Sequence, residues 1–419
     1  MRHTSDAVLH SRAGDRFHYL WAARRCLLMI HPLSPVEEIT VEASLEPDAP
    51  GEEVIDVGEL RRGDEGQALV DYYQLKHSTV RVSKPMGLSE LAKTLKGFAA
   101  RHTEIDTGEF VGAVDRRFWL VSNRPVSDKV KMAVNRLAQG ESVTSATRRK
   151  WESATGLNGG QLGEFCTKLN FSDDVGDYLE QERELREEMS RFYTRTVERS
   201  ATLELVGLVT DHALPQRKGK RRRGRIFRED VLKVFEVSHA DDLFPAKSAL
   251  EPIDDTFLRE QHIEIVQRIT EAKTQVIVHA EGGVGKSVTG QHLSTAFPKG
   301  SATVLYDCFG GGTYMSPSRR RHRPCDALMQ IVNELAVTGL CQLMIAKPQT
   351  PTSEVLKTFL RRISEAAEAV KNRSAEALLV VMIDAADNAE MAAEAFNDEC
   401  FAHLLIREVL PANCRIVFL

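Results

Sequence analysis

The segment VIVHAEGGVGKSVTGQHL, residues 276–293, decides the fold of the second half of this 419-residue chain. Apolar residues dominate 274–279, which predicts a buried strand. A glycine-rich loop follows at 280–287, and the residues after it have the pattern of a helix. Strand, glycine-rich loop and helix in this order are typical of a phosphate-binding (Walker A) loop in a parallel α/β sheet.

Small residues in this loop let successive backbone N–H groups and the start of the helix point at phosphate oxygens. Lys286 is expected to reach the β and γ phosphates of ATP, and the hydroxyl of Ser287 to bind Mg²⁺. The first motif position, usually glycine, is Ala280. The other predicted nucleotide-binding residues are Gly282, Gly283, Val284, Gly285 and Val288. A glycine-rich strand-to-helix turn without a ligand is the alternative.

A second apolar run, LLVVMIDAAD at 378–387, supports the same interpretation. It predicts a central strand whose carboxyl end faces the phosphates. Asp384 would hold Mg²⁺ through water, and Asp387 would orient or deprotonate the attacking water. A buried strand that merely ends in a capping aspartate is the alternative. Strands and helices alternate from 251 to the end, so this half is predicted to be a P-loop parallel sheet with flanking helices.

The sequence YDCFGGGTY at 306–314, followed by CDALMQIVNELA at 325–336, resembles antiviral STAND ATPases of bacteria. This resemblance implies a nucleotide-dependent switch, a homo-oligomer such as a tetramer on activation, and a viral protein as trigger. The family continues beyond the strand-like RIVFL at 415–419, so the chain is expected to be a fragment that lacks the trigger-binding region.

Working back to the N-terminus, the periodicity predicts a helix at 15–31, strands at 38–43, 54–57 and 69–76, a helix from Ser89 and a strand at 118–121. The predicted order is αβββαβ. On the third strand, alternation places Gln74 and Lys76 on one face. Asp56 is the polar residue of the neighbouring strand.

These side chains, with Glu42, make a plausible Mg²⁺ site that could generate a hydroxide nucleophile and stabilise a phosphodiester transition state. Glu38, Glu46 or Asp48 could replace Glu42 as ligand. An edge strand with surface Lys and Gln is the alternative. The histidines show no spacing typical of a metal site or a catalytic triad.

The QxK spacing inside αβββαβ resembles the PD-(D/E)xK nuclease superfamily. More narrowly, GDRFHYLWAARR at 14–25, VEEITVEAS at 36–44, VIDV at 54–57 and YYQLKHS at 72–78 resemble the double-stranded DNA endonuclease domain of CBASS effectors. The resemblance implies that Asp56, Gln74 and the Leu75 carbonyl bind the metal and that Lys76 positions the attacking water.

Composition adds limits. The chain is 42% hydrophobic and 27% charged with net charge −5, which excludes collagen-like and largely disordered classes and does not by itself imply a polyanionic partner. It shows no membrane-length apolar run and no signal-peptide core, and its seven scattered cysteines form no CxxC pair, so a reducing cytoplasm is expected. Three segments are predicted: a nuclease core at 1–125, a helical extension and connector at 126–250, and the partial P-loop domain at 251–419.

The connector contains the basic run 217–225, which could bind backbone phosphates or be a solvated loop. The leading hypothesis is an anti-phage DNA endonuclease regulated by ATP. An AAA-type remodelling or loading ATPase with a non-catalytic, partner-binding N-terminal domain is the alternative. A signalling switch with a degenerate nuclease is a third possibility.

Overall fold

The protein is represented by a computed structural model, which describes residues 3–42, 45, 50–63, 65–104, 114–193, 199–214, 224–251, 259–273, 275–293, 295–347 and 349–419. The chain divides into two compact units. The first comprises Met1–Met189 and Glu198–Glu236, and the second comprises Ser190–Val197 and Val237–Leu419. The predicted 126–250 segment thus supplies residues to both units, and its boundaries stay a prediction.

The first unit combines helices with one mixed β-sheet. Its helices are α1 (His3–Leu27), α2 (Leu88–His102), α3 (Asp128–Ala138), α4 (Ser145–Thr155), α5 (Gly159–Lys168), α6 (Tyr178–Ser190), α7 (Arg199–Ala213) and α8 (Arg228–Val234). Its strands are β1 (Val36–Val41), β2 (Val57–Arg62), β3 (Ala68–Lys76), β4 (Asp115–Ser122), β5 (Leu169–Asp173) and β6 (Arg225–Phe227). The first six of these elements follow the predicted order αβββαβ.

The six strands lie in the order β5-β4-β3-β2-β1-β6. Strands β1, β2 and β3 form an antiparallel meander, whereas β3, β4 and β5 are parallel. Parallel neighbours need a crossover, and α2 supplies it between β3 and β4. One face of the sheet packs on a core that includes Tyr72, Phe98, Phe118 and Phe165, all fully buried. This rigid centre positions the carboxyl end of β3.

The second unit contains a parallel sheet flanked by helices. Its helices are α9 (Glu260–Glu271), α10 (Lys286–Leu293), α11 (Pro324–Val337), α12 (Thr352–Arg373), α13 (Ala386–Phe396) and α14 (Phe401–Ile406). Its strands are β7 (Val276–Ile277), β8 (Ala302–Asp307), β9 (Leu379–Asp384) and β10 (Cys414–Phe418). They lie in the order β7-β10-β9-β8, and every pair is parallel. The expected α/β class is confirmed for the chain.

Two local predictions differ from the structure, and one short strand was not predicted. The second strand was expected at 54–57, but a 3-10 turn occupies Glu52–Val54 and β2 starts at Val57, so Asp56 lies just before the strand. The segment 126–250 was predicted to be a helical extension and connector, yet it contains β5, which pairs with β4. The short strand β6 pairs with β1. Edge strands of three to five residues carry too little alternation to be recognised, and only their partners define them.

Candidate functional site

Three side chains of the first unit form a group that could hold a metal ion. One ligand atom each from His18, Glu42 and Asp56 lies within 4.8 Å of the others. His18 comes from α1, Glu42 follows β1, and Asp56 precedes β2. An imidazole nitrogen with two carboxylates suits a divalent cation such as Mn²⁺ or Mg²⁺.

Hydrogen bonds from β3 fix the Asp56 carboxylate. Its Oδ2 accepts from the side-chain Nε2 of Gln74 at 2.5 Å and from the backbone N–H of Leu75 at 2.6 Å. The backbone N–H of Asp56 donates to the Tyr73 carbonyl at 2.9 Å. One carboxylate oxygen is therefore held by the strand, and the other is available to the group.

Glu42 lies in an unusual backbone conformation. Its φ is +49°, in the left-handed region that non-glycine residues seldom occupy. Its N–H donates to the Asp56 carbonyl at 2.8 Å, which stabilises this conformation. Residues held this way often cluster at functional sites, because the surrounding structure must offset the local strain. Here the consequence is that the Glu42 carboxylate comes to 3.8 Å from Nδ1 of His18.

His18 was not among the predicted site residues. It lies on α1 beside the buried Phe17 and Leu20, and its own side chain is 21% exposed. The ring also donates a hydrogen bond to the Leu75 carbonyl. Metal-binding histidines usually donate their second ring N–H to a carbonyl or carboxylate, so this arrangement fits a ligand.

The electrostatics of the group favour a cation between the carboxylates. Burial by itself lowers the pKa of His18, but the hydrogen bond to Glu42 and the charges of Glu42 and Asp56 outweigh it, so the pKa of His18 is raised. Burial raises the pKa of Asp56, although the His18 charge and the two hydrogen bonds from β3 oppose it. The two carboxylates therefore attract positive charge, which a protonated His18 supplies in part and a metal cation bound to the neutral imidazole would supply instead.

Lys76 ends β3 beside this group. Burial lowers the pKa of the Lys76 ammonium, while the charge of Asp56 acts in the opposite direction. The charges of Lys93 and Arg124 lower it further. The Asp56 carboxylate and the Lys76 ammonium thus interact electrostatically, and the catalytic role of Lys76 stays a prediction.

Ion pairs hold α1 against the rest of the first unit, and so hold His18. Arg25, seven residues after His18 on the same helix face, forms a bidentate pair with the fully buried Glu59, with Nε–Oε2 and Nη2–Oε1 distances of 2.9 and 3.0 Å. Arg24 pairs with Glu188 of α6 at 2.6 Å. Arg25 is partly exposed, and no pattern in the sequence indicated His18, because the partners that hold α1 lie far away along the chain.

The other predicted ligands of this unit fall elsewhere. Glu38 pairs with Arg225, with a 2.8 Å contact between Nη2 and Oε2, so it is engaged on β1 and β6. Glu46 and Asp48 lie outside the described residues. The basic run 217–225 is described only at Gly224 and Arg225. Of the carboxylate alternatives that the structure describes, Glu42 is the one in the group with Asp56.

In the second unit, the predicted phosphate-binding loop joins β7 to α10. Gly283 and Gly285 have φ of +80° and +93°, which only glycine adopts without strain. The Nζ of Lys286 donates to the carbonyls of Ala280 at 2.9 Å and Glu281 at 3.3 Å. The lysine therefore folds back over its own loop, and Gly282, Val284 and Val288 line the same turn and the start of α10.

The carboxyl end of β9 brings Asp384 to this loop. Its carboxylate accepts a hydrogen bond from Ser287, and burial raises its pKa. Its Oδ2 is buried and has no hydrogen-bond partner among the described residues. Asp387 lies one turn further on, exposed in α13. Lys286, Ser287 and Asp384 are thus brought together, whereas Asp387 is on the surface.

The arginine cluster at 319–323 is held by an acidic side chain from a distant part of the chain. Arg320, His322 and Arg323 all contact Asp398, at 2.7, 3.0 and 3.0 Å. Arg321 is buried and donates to the Asp307 carbonyl at 2.9 Å. These four side chains are structural. The sequence could not show this because Asp398 is about 75 residues away.

No family model matches this sequence, and a search of curated proteins returns no significant match. Among solved structures, the Acinetobacter baumannii Cap4 SAVED/CARF-domain containing receptor with the cyclic trinucleotide 3'3'3'-cAAA matches at TM-score 0.33 and 12% identity, over 91% of this chain and 65% of that one. The Moraxella osloensis Cap4 SAVED/CARF-domain containing receptor matches at 0.31 and 12%, over 89% and 64%. A second A. baumannii Cap4 structure matches at 0.33 and 12%, over 96% and 95%.

The chain spans less than two thirds of the first two receptors and nearly all of the third. At this low similarity no residue role can be transferred from Cap4 to this chain.

The expected membership of the antiviral STAND class is wrong, because the structures matched across nearly the whole chain are Cap4 receptors. The expected coupling of a nuclease to a STAND-type ATPase has no support from these matches. The physical reason is that a glycine-rich turn before a helix and a strand ending in aspartate are local features of many parallel α/β sheets. No helix within the described part of the chain is long and apolar enough to cross a lipid bilayer.

Proposed function

We propose that the first unit hydrolyses phosphodiester bonds of double-stranded DNA with a divalent cation. The observation that supports it is the convergence of His18, Glu42 and Asp56 at the end of the strand that carries Lys76. A bound cation would lower the pKa of a coordinated water and offset negative charge on the phosphate. The imidazole nitrogen favours Mn²⁺ over Mg²⁺ in affinity.

Residues of β3 would orient the metal ligand and the attacking water. Gln74 and the Leu75 N–H keep the Asp56 carboxylate in one orientation. Lys76, whose pKa is lowered by burial, is placed to position the water and to contact a non-bridging phosphate oxygen. Preorganised groups of this kind act without reorganising when the charge develops.

The test is cleavage of supercoiled plasmid by the purified chain and by any longer natural form, with Mn²⁺ or Mg²⁺. Asp56→Asn and Lys76→Met should abolish cleavage. Glu42→Gln should reduce it strongly, while Glu37→Gln should not. Glu37 is a matched control because both glutamates are 42% exposed and Glu37 pairs with Arg62 outside the group. Cleavage that survives Asp56→Asn would overturn the proposal in favour of a non-catalytic, partner-binding unit.

A second candidate function concerns the loop at 280–287. We propose that it binds the phosphates of a nucleotide together with Mg²⁺. Supporting this are the adjacency of Ser287 to Asp384 and the unpartnered Asp384 Oδ2, which a Mg²⁺-bound water could satisfy. Titration with a fluorescent ATP analogue should show Mg²⁺-dependent binding that is lost in Lys286→Ala. Equal binding by that variant would remove this candidate.

We also propose that the nuclease acts in defence against phage, on the resemblance of the 14–25 and 72–78 motifs to CBASS nuclease domains. Expression of the complete gene should lower phage plating efficiency, and Lys76→Met should restore it. Plating that is unchanged by Lys76→Met would refute the role of the nuclease in defence.

A further inference from the structure

The loop that directly follows Lys76 of the candidate site exposes two valines. Residues 77–86, HSTVRVSKPM, connect β3 to α2 and are called the valine loop below. Every residue from 79 to 85 is exposed, with Val80 at 74% and Val82 at 46%. Exposure of two apolar side chains to water at the tip of one loop is unfavourable, and a partner that buries them would gain this free energy on binding.

The base of the valine loop is firmly anchored. The backbone N–H of Ser78 donates to Oδ1 of Asn123 at 2.9 Å, and Nδ2 of Asn123 donates to the Ser78 carbonyl at 2.8 Å. At the other end, the Lys84 carbonyl accepts from Nε and Nη2 of Arg124 at 3.0 and 2.9 Å. Met86 is buried and pairs with Val126.

Within the loop itself, a turn gives the tip its shape. Ser78 Oγ accepts from the N–H of Arg81 at 3.0 Å, and the N–H of Lys84 donates to the Arg81 carbonyl at 3.0 Å. The tip is therefore presented on a preset turn, and little ordering cost is expected when it binds a partner.

The loop that exposes the valines also carries two cationic side chains. Arg81 lies between the valines in the sequence and is exposed, as is Lys84. The charges of Lys84 and Arg124 lower the pKa of Glu90, and the charge of Arg124 also acts on Lys76. Arg124 thus interacts electrostatically both with Glu90 and with the candidate catalytic lysine.

We infer that the valine loop inserts Val80 and Val82 into the minor groove of the DNA duplex held at the metal site. Apolar side chains on loops that bind the minor groove wedge between base steps, and flanking cations contact the phosphates. Arg81 is the phosphate or groove contact. This inference rests on the proposed DNA-cleaving function and adds how the duplex is engaged. A duplex suits this loop because its phosphates complement Arg81 and Lys84 on either side of the groove that receives the valines.

The experiment uses the whole chain carrying Lys76→Met, so that DNA is bound and not cut. The probes are short duplexes with 2-aminopurine at successive positions, whose fluorescence rises when a base unstacks. The parent protein should bind and raise the signal at one or two steps. Val80→Ser with Val82→Ser should bind about tenfold more weakly, because two apolar contacts are lost, and should raise no signal.

Two controls separate the wedge from general charge attraction. Affinity falls with salt, and Arg81→Gln should make the slope of log affinity against log salt less steep by about one. The double serine variant should leave that slope unchanged. Val409→Ser, at a valine that is 92% exposed in the second unit, should alter neither affinity nor fluorescence.

The outcomes are distinguishable. If the Lys76→Met protein does not bind duplex DNA, the proposed function itself fails. If it binds duplex without unstacking at any position, or if the double serine variant keeps the signal and the affinity, DNA binding stands and the wedge is refuted.

Discussion

Asp56→Asn is the substitution that isolates metal binding from folding. In the folded protein, Oδ2 of Asp56 accepts hydrogen bonds from Gln74 and Leu75. The side-chain oxygen of asparagine can take the same two bonds, so its NH₂ replaces Oδ1, and the negative charge that attracts a cation is lost. The substitution replaces a carboxylate oxygen by an NH₂ group of similar size, which donates hydrogen bonds and does not bind metal. The surrounding packing is expected to stay intact.

The effect on stability without metal has a definite sign. The pKa of Asp56 is raised in the folded state, chiefly by burial. A raised carboxyl pKa means that this group contributes stability while protonated, below its unfolded pKa, and that the contribution is lost as pH rises through the folded pKa. At neutral pH the ionised Asp56 is therefore unfavourable in the folded state, and the neutral asparagine should be equally stable or slightly more stable.

When a metal ion is present, Asp56→Asn should instead leave the protein less stable than the parent. At a cation concentration about 100 times the parent dissociation constant, ligation stabilises the folded state by about 2.7 kcal/mol. Loss of a direct ligand should weaken binding by at least about 100-fold, since even outer partners of metal ligands cost 10–100-fold. The variant would then gain about 0.4 kcal/mol at the same concentration. For a unit of this size, the Tm shifts are roughly 5–11 °C for the parent and about 1 °C for the variant.

Differential scanning calorimetry with and without Mn²⁺ measures both signs. Glu37→Gln should keep the parent shift because its carboxylate lies outside the group. A variant Asp56→Asn whose Tm rises with Mn²⁺ as much as that of the parent would show that Asp56 is not a ligand. A large loss of Tm without metal would refute the argument from burial.

Three further predictions test neighbouring features. Lys76→Met should abolish cleavage but keep the Mn²⁺-induced rise in Tm, because Lys76 is not a ligand; loss of that rise would contradict its role. Gly97→Ala should destabilise the first unit by about 1–3 kcal/mol in denaturant titration, because the new Cβ would lie 2.4 Å from Cγ2 of Val54. Combining it with Val54→Ala should reduce this destabilisation. Gly207→Ala on α7 is the control: its Cβ would have nothing within 4 Å, so it should stabilise the unit by about 0.5–1 kcal/mol. Asp398→Asn should lower the stability of the second unit by about 1 kcal/mol, a modest loss because the side chain is 22% exposed and solvent screens its ion pairs. Hydrogen bonds and charges of its cationic partners lower the Asp398 pKa, so the parent protein loses this stabilisation as pH falls through the folded pKa. A variant whose stability falls with acid as much as that of the parent would refute the assignment.

Local pattern predicted much of the first unit. The order αβββαβ follows from helical and two-residue periodicities, and β3 carries Gln74 and Lys76 as alternation required. It also placed Asp384 at the end of β9. These features depend on the nearest residues along the chain, which is the range that periodicity can report.

Long-range packing decided the rest. His18 reaches Asp56 only because Arg25 and Glu59 hold α1 against the sheet, and no spacing in the sequence records that contact. Glu42, and not Glu38, lies beside Asp56, and its left-handed backbone is stabilised by the hydrogen bond from its N–H to the Asp56 carbonyl.

The sequence by itself therefore determined the α/β class, the order of the first six elements and the strand that carries the Gln and Lys of the candidate site. Only the tertiary structure decided which histidine joins the carboxylates, which short strands complete the sheet edges, and that the arginines near 320 bind Asp398. The physical reason is that secondary structure follows local periodicity, whereas a metal group, an edge strand and a buried ion pair each need atoms from distant segments to arrive at one place.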